Sequence, residues 1–128
     1  MPIDHTGIQV SLADYEKVVA WYEKALAPLG YVKMIDVGPA VGFGEKGGHP
    51  DWWVSSRETG NNSSHHAFSV KKRSLVSEFH KAALEAGGED NGAPGIRSQY
   101  HPNYYAAFVK DPVGNNIEVV CHAPETCS

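Results

Sequence analysis

Cysteine is nearly absent from this chain of 128 residues: Cys121 stands in an apolar run near the end and Cys127 in a polar tail. Two thiols placed so make no disulfide framework, and both read as free. Positive charge is also scarce. Lys and Arg number 11 against 15 Asp and Glu, a formal net charge of −4, and the one basic run, Lys71-Lys72-Arg73, reads as a solvated loop. A nucleic-acid partner is therefore not expected. No hydrophobic run approaches the roughly 20 residues of a membrane span, and Met1-Pro2-Ile3-Asp4-His5 enters a strand pattern with no basic leader or signal core. These absences predict a cytoplasmic protein without a membrane partner.

What is present suits one domain over residues 1–128, with 41% hydrophobic residues and a length able to bury a core without staples. The two halves repeat. His5-Thr6-Gly7-Ile8-Gln9-Val10 and His65-His66-Ala67-Phe68-Ser69-Val70 both open with histidine and close with valine, 60 positions apart. A helix pattern follows each. Tyr15, Val18, Val19, Tyr22, Ala25, Leu26 and Leu29 recur with helical period, with Ser11 or Asp14 as N-cap and Gly30 as the stop. Leu75, Val76, Phe79, Ala82, Ala83 and Ala86 do the same behind Ser74, ending at Gly87-Gly88. Strands are then expected at 32–37, 40–45 and 52–55. The second half offers a Gly/Pro/Asn-rich stretch, 87–103, in which Asn91-Gly92-Ala93-Pro94-Gly95 reads as flexible, and then a hairpin. Each half is thus a βαβββ module, about 1–58 and 64–123, joined by a polar linker from Glu58 to Ser64. The class is α+β, two modules forming a shared curved sheet around a cleft.

The hairpin carries the least expected residue. Tyr105-Ala106-Ala107-Phe108-Val109 stops at Asp111-Pro112-Val113-Gly114-Asn115, and Asn116-Ile117-Glu118-Val119-Val120 returns. Glu118 is an acid in a strand otherwise buried on at least one face, where an unpaired carboxylate is strongly unfavourable. A cation across the sheet, an edge position facing water, or a metal ion would each compensate it. Strand parity puts Gly7 and Gln9 beside His5, Ala67 and Ser69 beside His65, and Val120 and His122 beside Glu118, with His66 and Phe68 turned to the helix side. Two imidazoles and one carboxylate from three strands make a facial triad that leaves other positions of an octahedral ion open. The hydroxyl- and imidazole-rich stretch from Ser98 to Tyr105, which follows the flexible segment 91–95 and leads into the hairpin, is placed to roof the cleft. His101 there is a candidate general acid/base, and Tyr100, Tyr104 or Tyr105 a candidate for orienting substrate.

The heading histidines, the aromatic helices and Ala107-Phe108-Val109-Lys110-Asp111-Pro112-Val113-Gly114-Asn115-Asn116-Ile117-Glu118 together resemble the vicinal-oxygen-chelate superfamily, which includes glyoxalase I, extradiol dioxygenases, fosfomycin-resistance thiol transferases and bleomycin-binding proteins. The resemblance implies one divalent ion, Mn, Fe, Ni or Zn, held by His5, His65 and Glu118 and chelating adjacent oxygens of a small substrate. His101 and Tyr105 then serve as catalytic residues in lyase, isomerase or dioxygenase chemistry, and homodimers are common among such proteins. A non-catalytic binding or resistance protein on the same scaffold is the alternative. One departure stands out. Matching Ala40-Val41-Gly42-Phe43 to Tyr105-Ala106-Ala107-Phe108 places Trp53, which cannot ligate a metal, where glyoxalase I carries its second carboxylate.

Overall fold

The computed structural model describes residues 3–58, 60 and 63–124. Cys127 and part of the linker, Thr59, Asn61 and Asn62, lie outside them. In chain order the elements are β1 (Thr6–Ser11), α1 (Tyr15–Ala25), a 3-10 turn (Ala27–Leu29), β2 (Tyr31–Asp36), β3 (Ala40–Glu45), β4 (Trp52–Arg57), β5 (His65–Val70), α2 (Arg73–Glu85), β6 (Glu89–Ile96), β7 (Tyr105–Lys110) and β8 (Asn116–Cys121). These are two βαβββ modules. Each builds a four-stranded mixed sheet, β1-β4-β3-β2 and β5-β8-β7-β6, in which the first and last strands of a module run parallel and the other neighbours antiparallel. The curved sheet expected of the pair is thus two separate hydrogen-bonded ladders.

Local chemistry accounts for most boundaries. β1 alternates Ile8 and Val10 inward with Gly7 and Gln9 outward, as period two requires. Helix α1 buries Val18, Val19, Trp21, Tyr22 and Ala25, one stripe at helical spacing. The chain then leaves the 3-10 turn at Gly30, whose φ of 82° only glycine adopts without strain. Helix α2 buries Val76, Phe79 and Ala83 and begins at Arg73, with Lys72 rather than Ser74 at the cap.

One segment differs from expectation. Residues 91–95, read as flexible, belong to β6, an edge strand paired with β7 through two register shifts, between Asp90 and Gly92 and between Gly92 and Gly95. A bulged edge is where a strand tolerates Pro94, which has no amide hydrogen to offer.

The covered faces of both sheets and the two helices share one core. Trp21 Nε1 donates to the Ala83 carbonyl at 3.2 Å, Tyr22 Oη donates to Asp111 Oδ2 at 2.5 Å, and the Trp52 ring lies 5.3 Å from Phe68 across the modules. Full burial of an aromatic side chain contributes about 2–3 kcal/mol, so these residues do much to hold the modules together. Neither helix is long and apolar enough to cross a membrane.

Candidate functional site

The uncovered face of the second sheet carries a connected set of polar groups. Glu118 sits on β8, hydrogen-bonded between β5 and β7, opposite Ala67 on one side and Phe108 on the other. Its side chain is only 3% exposed, whereas that of His65 is 53% exposed. His65 Nε2 donates to Glu118 Oε1 at 2.9 Å, and Tyr104 Oη donates to the other oxygen, Oε2. The buried carboxylate is therefore held by an imidazole and a phenol. Burial, then the hydrogen bond and charge of Glu118, push the Tyr104 hydroxyl up to about 12, so it stays protonated and donating at neutral pH.

Tyr104 passes this network to two further imidazoles. Its ring stands edge-on to His101 and to His122, at 5.5 and 5.3 Å between centroids. His101 Nε2 and His122 Nδ1 are 2.8 Å apart, and the Asn103 amide donates to His101 Nδ1 at 3.0 Å. An amide can only donate, so His101 Nδ1 carries no proton and its Nε2–H donates to His122. Both nitrogens of His101 are thus engaged, and the nitrogen of the pair outside these bonds is Nε2 of the exposed His122.

Of the residues expected from sequence, His65, Glu118 and His101 stand on this face and Tyr105 does not. Tyr105 pairs with Cys121 on the covered side of β7, packs against the core, and has the Arg73 guanidinium 5.1 Å from its ring centre. Consecutive tyrosines in an extended segment point to opposite faces, and Tyr104 is the one that reaches Glu118. His5 lies elsewhere. Its Nδ1 meets exposed Asp4 at 2.7 Å, and it lines a groove of about 700 Å³ with Gln9, Trp53, Ser55, Ser64 and His66. His66 alternates with His65 along β5, so His5 shares space with the side of β5 that His65 turns away from. His66 accepts this side by packing edge-on against Trp52 at 4.8 Å and bonding the Ser64 hydroxyl at 2.9 Å. Burial, then the like charge of His65, pulls its pKa down.

A divalent ion asks for converging nitrogen and oxygen donors. His65 Nε2 and Glu118 Oε1 converge and suit such an ion, while among the described residues no group of three or more His, Cys, Asp or Glu side chains is placed to hold one. One chain supplies two of the three expected donors at one point.

Trp53 is the first module's counterpart of Glu118. Gly7 pairs with Trp53 in the first module as Ala67 pairs with Glu118 in the second, so offsets of 60 on the first strand and 65 on the last coincide. The Phe43–Phe108 correspondence that suggested this offset fails on β3, because Phe43 is buried in the core and Phe108 stands on the uncovered face beside His65. Gly42, opposite Trp53, is the positional counterpart of Phe108. His122 and Tyr104 were marked by parity and by composition, but their joint contact with His101 depends on how the loop 97–104 folds back, which the sequence does not reveal.

No protein-family model matches the sequence, and none of the curated proteins compared with it does. Solved structures do match. A glyoxalase/bleomycin resistance protein from Albidiferax ferrireducens T118 superposes with a TM-score of 0.74 at 20% identity, over 93% of this chain and 98% of that one. A glyoxalase/bleomycin resistance protein/dioxygenase family enzyme from Burkholderia phytofirmans PsJN gives 0.71 at 18%, over 94% and 98%. A lactoylglutathione lyase from Agrobacterium tumefaciens gives 0.60 at 17%, over 90% of each chain. With two βαβββ modules, two mixed sheets and these neighbours along almost its whole length, the chain has the fold of the vicinal-oxygen-chelate superfamily of glyoxalases, bleomycin resistance proteins and dioxygenases.

Proposed function

We propose that this chain is a metal-dependent enzyme acting on a small molecule with vicinal oxygens, and that its site is completed in a cytoplasmic homodimer by His5 of the partner subunit. The observation that carries the reading is the meeting of His65 Nε2 and Glu118 Oε1 at 2.9 Å on an uncovered face, with the carboxylate buried. Such a pair is well suited to a divalent ion, Mn, Fe, Ni or Zn, which when bound supplies a Lewis acid toward two adjacent oxygens. His5 sits on a face that His65 does not share, so a two-fold pairing of chains is what lets three donors converge, twice per dimer. Tyr104 keeps Glu118 oriented until the site is filled. The His101–His122 pair holds and passes a proton, with His101 fixing His122 through its Nδ1. Lyase, isomerase and dioxygenase chemistries all need a proton moved beside the chelated oxygens.

The binding-protein reading has one observation in its favour: Trp53 stands at the position of a second carboxylate. The two readings separate in one experiment. Metal content of the purified protein is measured for the parent, His5→Ala, Glu118→Ala and a refolded equal mixture of the two variants. Each variant alone is expected to be empty. The mixture is expected to recover about a quarter of the parent's metal, because half the dimers are mixed and each mixed dimer has one intact site of two. A parent that takes up none of the four ions overturns the reading in favour of a binder, and His5→Ala protein with full metal overturns the shared site.

A further inference from the structure

The groove beside His5 has a floor built to seat an indole. At Gly7 an added Cβ would lie 2.5 Å from the Trp53 carbonyl oxygen, and at Gly42 it would lie 2.9 Å from Cζ2 and Cη2 of Trp53 and 3.0 Å from Pro50. Trp53 thus rests its benzo ring where a side chain at position 42 would stand, and β1 passes close because position 7 has no side chain. The indole stays half-buried on the uncovered face and lines the groove. At about 700 Å³ the groove falls within the range of small-molecule sites.

The polar lining is neutral in kind. Gln9 and Ser55 come from the first module and Ser64 from the second, and none carries charge. Among the described residues, no Lys, Arg, Asp or Glu lines the groove. His66 packs edge-on against Trp52 and bonds the Ser64 hydroxyl, and His5 meets Asp4. Among these residues an anion would find no fixed cation, and a cation no carboxylate.

We infer that the groove binds a neutral, planar aromatic molecule bearing amide or hydroxyl groups, stacked on Trp53 and hydrogen-bonded by Gln9, Ser55 and Ser64. The inference deepens the proposed function by giving the substrate an aromatic ring, and it rests on that reading only for the ion beside the groove. Face-on or edge-on contact with an indole is worth about 0.5–1.5 kcal/mol beyond simple burial, roughly a two- to tenfold preference over a saturated ring of the same size.

The test uses two neutral probes, benzamide and cyclohexanecarboxamide, titrated by NMR into the full chain with and without EDTA. Benzamide is expected to bind several-fold tighter, with Trp53→Phe retaining part of the preference and Trp53→Ala losing it while its far-UV circular dichroism stays that of the parent. Equal binding of the two probes, no binding of either, or a preference that survives Trp53→Ala overturns the inference. Metal content of the same samples keeps the failures apart: a protein that never takes up metal yet binds benzamide through Trp53 defeats the enzyme reading and leaves the groove assigned.

Discussion

Tyr22 of the first module donates its hydroxyl hydrogen bond to Asp111 of the second, 89 residues further on, in a site sealed from water. Asp111 is 4% exposed and works with both oxygens: Oδ1 accepts the amides of Val113 and Asn115, and Oδ2 accepts the Asn115 side chain and Tyr22. The carboxylate that shapes the turn before β8 therefore also fastens that turn to helix α1. The placement of Glu118, three residues past this turn, depends on both.

Tyr22→Phe removes one donor from a buried carboxylate and leaves the ring's packing intact. It is expected to cost about 1–3 kcal/mol, since an under-satisfied buried acceptor keeps most of its desolvation penalty. Urea denaturation of the two proteins reads it directly. A loss below about 0.5 kcal/mol would show that the bond adds little beyond ring packing.

Alkaline pH tests the same residue from another side. Burial, then the Asp111 charge, raise the Tyr22 pKa well above the ordinary phenol value, and Tyr15, Tyr31 and Tyr104 are shifted in the same direction by burial first. An acid with a folded pKa above its unfolded value binds more protons when folded, so its contribution is complete below about pH 10 and is lost as pH rises through the folded value. Stability is expected to fall steadily above pH 10. In Tyr22→Phe the fall is shallower by up to one proton, about 1.4 kcal/mol per pH unit. Identical alkaline slopes would contradict the shift assigned to Tyr22.

Tyr104→Phe separates a packing role from a holding role. The phenol bonds Glu118 Oε2 and is only partly buried, so its loss is expected to cost about 1 kcal/mol of stability. Under the proposed function it also frees an oxygen for the ion, and the divalent-ion dissociation constant, measured by competition with a chelating dye, should tighten several-fold. An unchanged or weaker constant would mean that Tyr104 does not compete with metal for Glu118.

His122→Ala is expected to loosen the loop rather than the fold. His101 loses the acceptor of its Nε2–H, and the Asn103 amide loses a well-placed acceptor in turn. Exchange of the Asn103 amide should quicken at least tenfold while global stability changes by less than about 0.5 kcal/mol. Unaltered exchange at Asn103 would show that the loop is held by Tyr104 alone.

Much of this arrangement was legible in the residues because period two and period 3.6 are strong where apolar groups are frequent. β1 and β5 alternate visibly, β8 is a short apolar run that follows a turn, and both helices carry an apolar stripe at helical spacing. The β6 strand was not legible, because Gly92, Pro94 and Gly95 are loop formers that a bulged edge accommodates. Tyr104 and Tyr105 could not be ranked from sequence, since one residue of register exchanges their faces and only the Tyr105–Cys121 pairing fixes it. The separation of His5 from His65 was hidden for a different reason. Parity says which side of its own strand a residue faces, and says nothing of how one module is turned against the other.

The glycines under Trp53 give a test that distinguishes backbone from side-chain crowding. A methyl group at position 7 meets the carbonyl oxygen of Trp53 at 2.5 Å, and one at position 42 meets the end of the indole at 2.9 Å. Both Gly7→Ala and Gly42→Ala are expected to destabilise by about 1–3 kcal/mol, the usual cost of overpacking a fitted site. Their responses to a second change should differ. Trp53→Ala removes the indole and is expected to restore most of the loss in Gly42→Ala, leaving Pro50 as the remaining neighbour. It should restore little in Gly7→Ala, because the carbonyl oxygen and Cβ of residue 53 are still there. Two double-mutant cycles by urea denaturation read the difference as a coupling energy, large for 42 and near zero for 7. Equal coupling in the two cycles would mean that β1 and β4 can part to admit the methyl group, and that Gly7 is not what lets these strands lie so close.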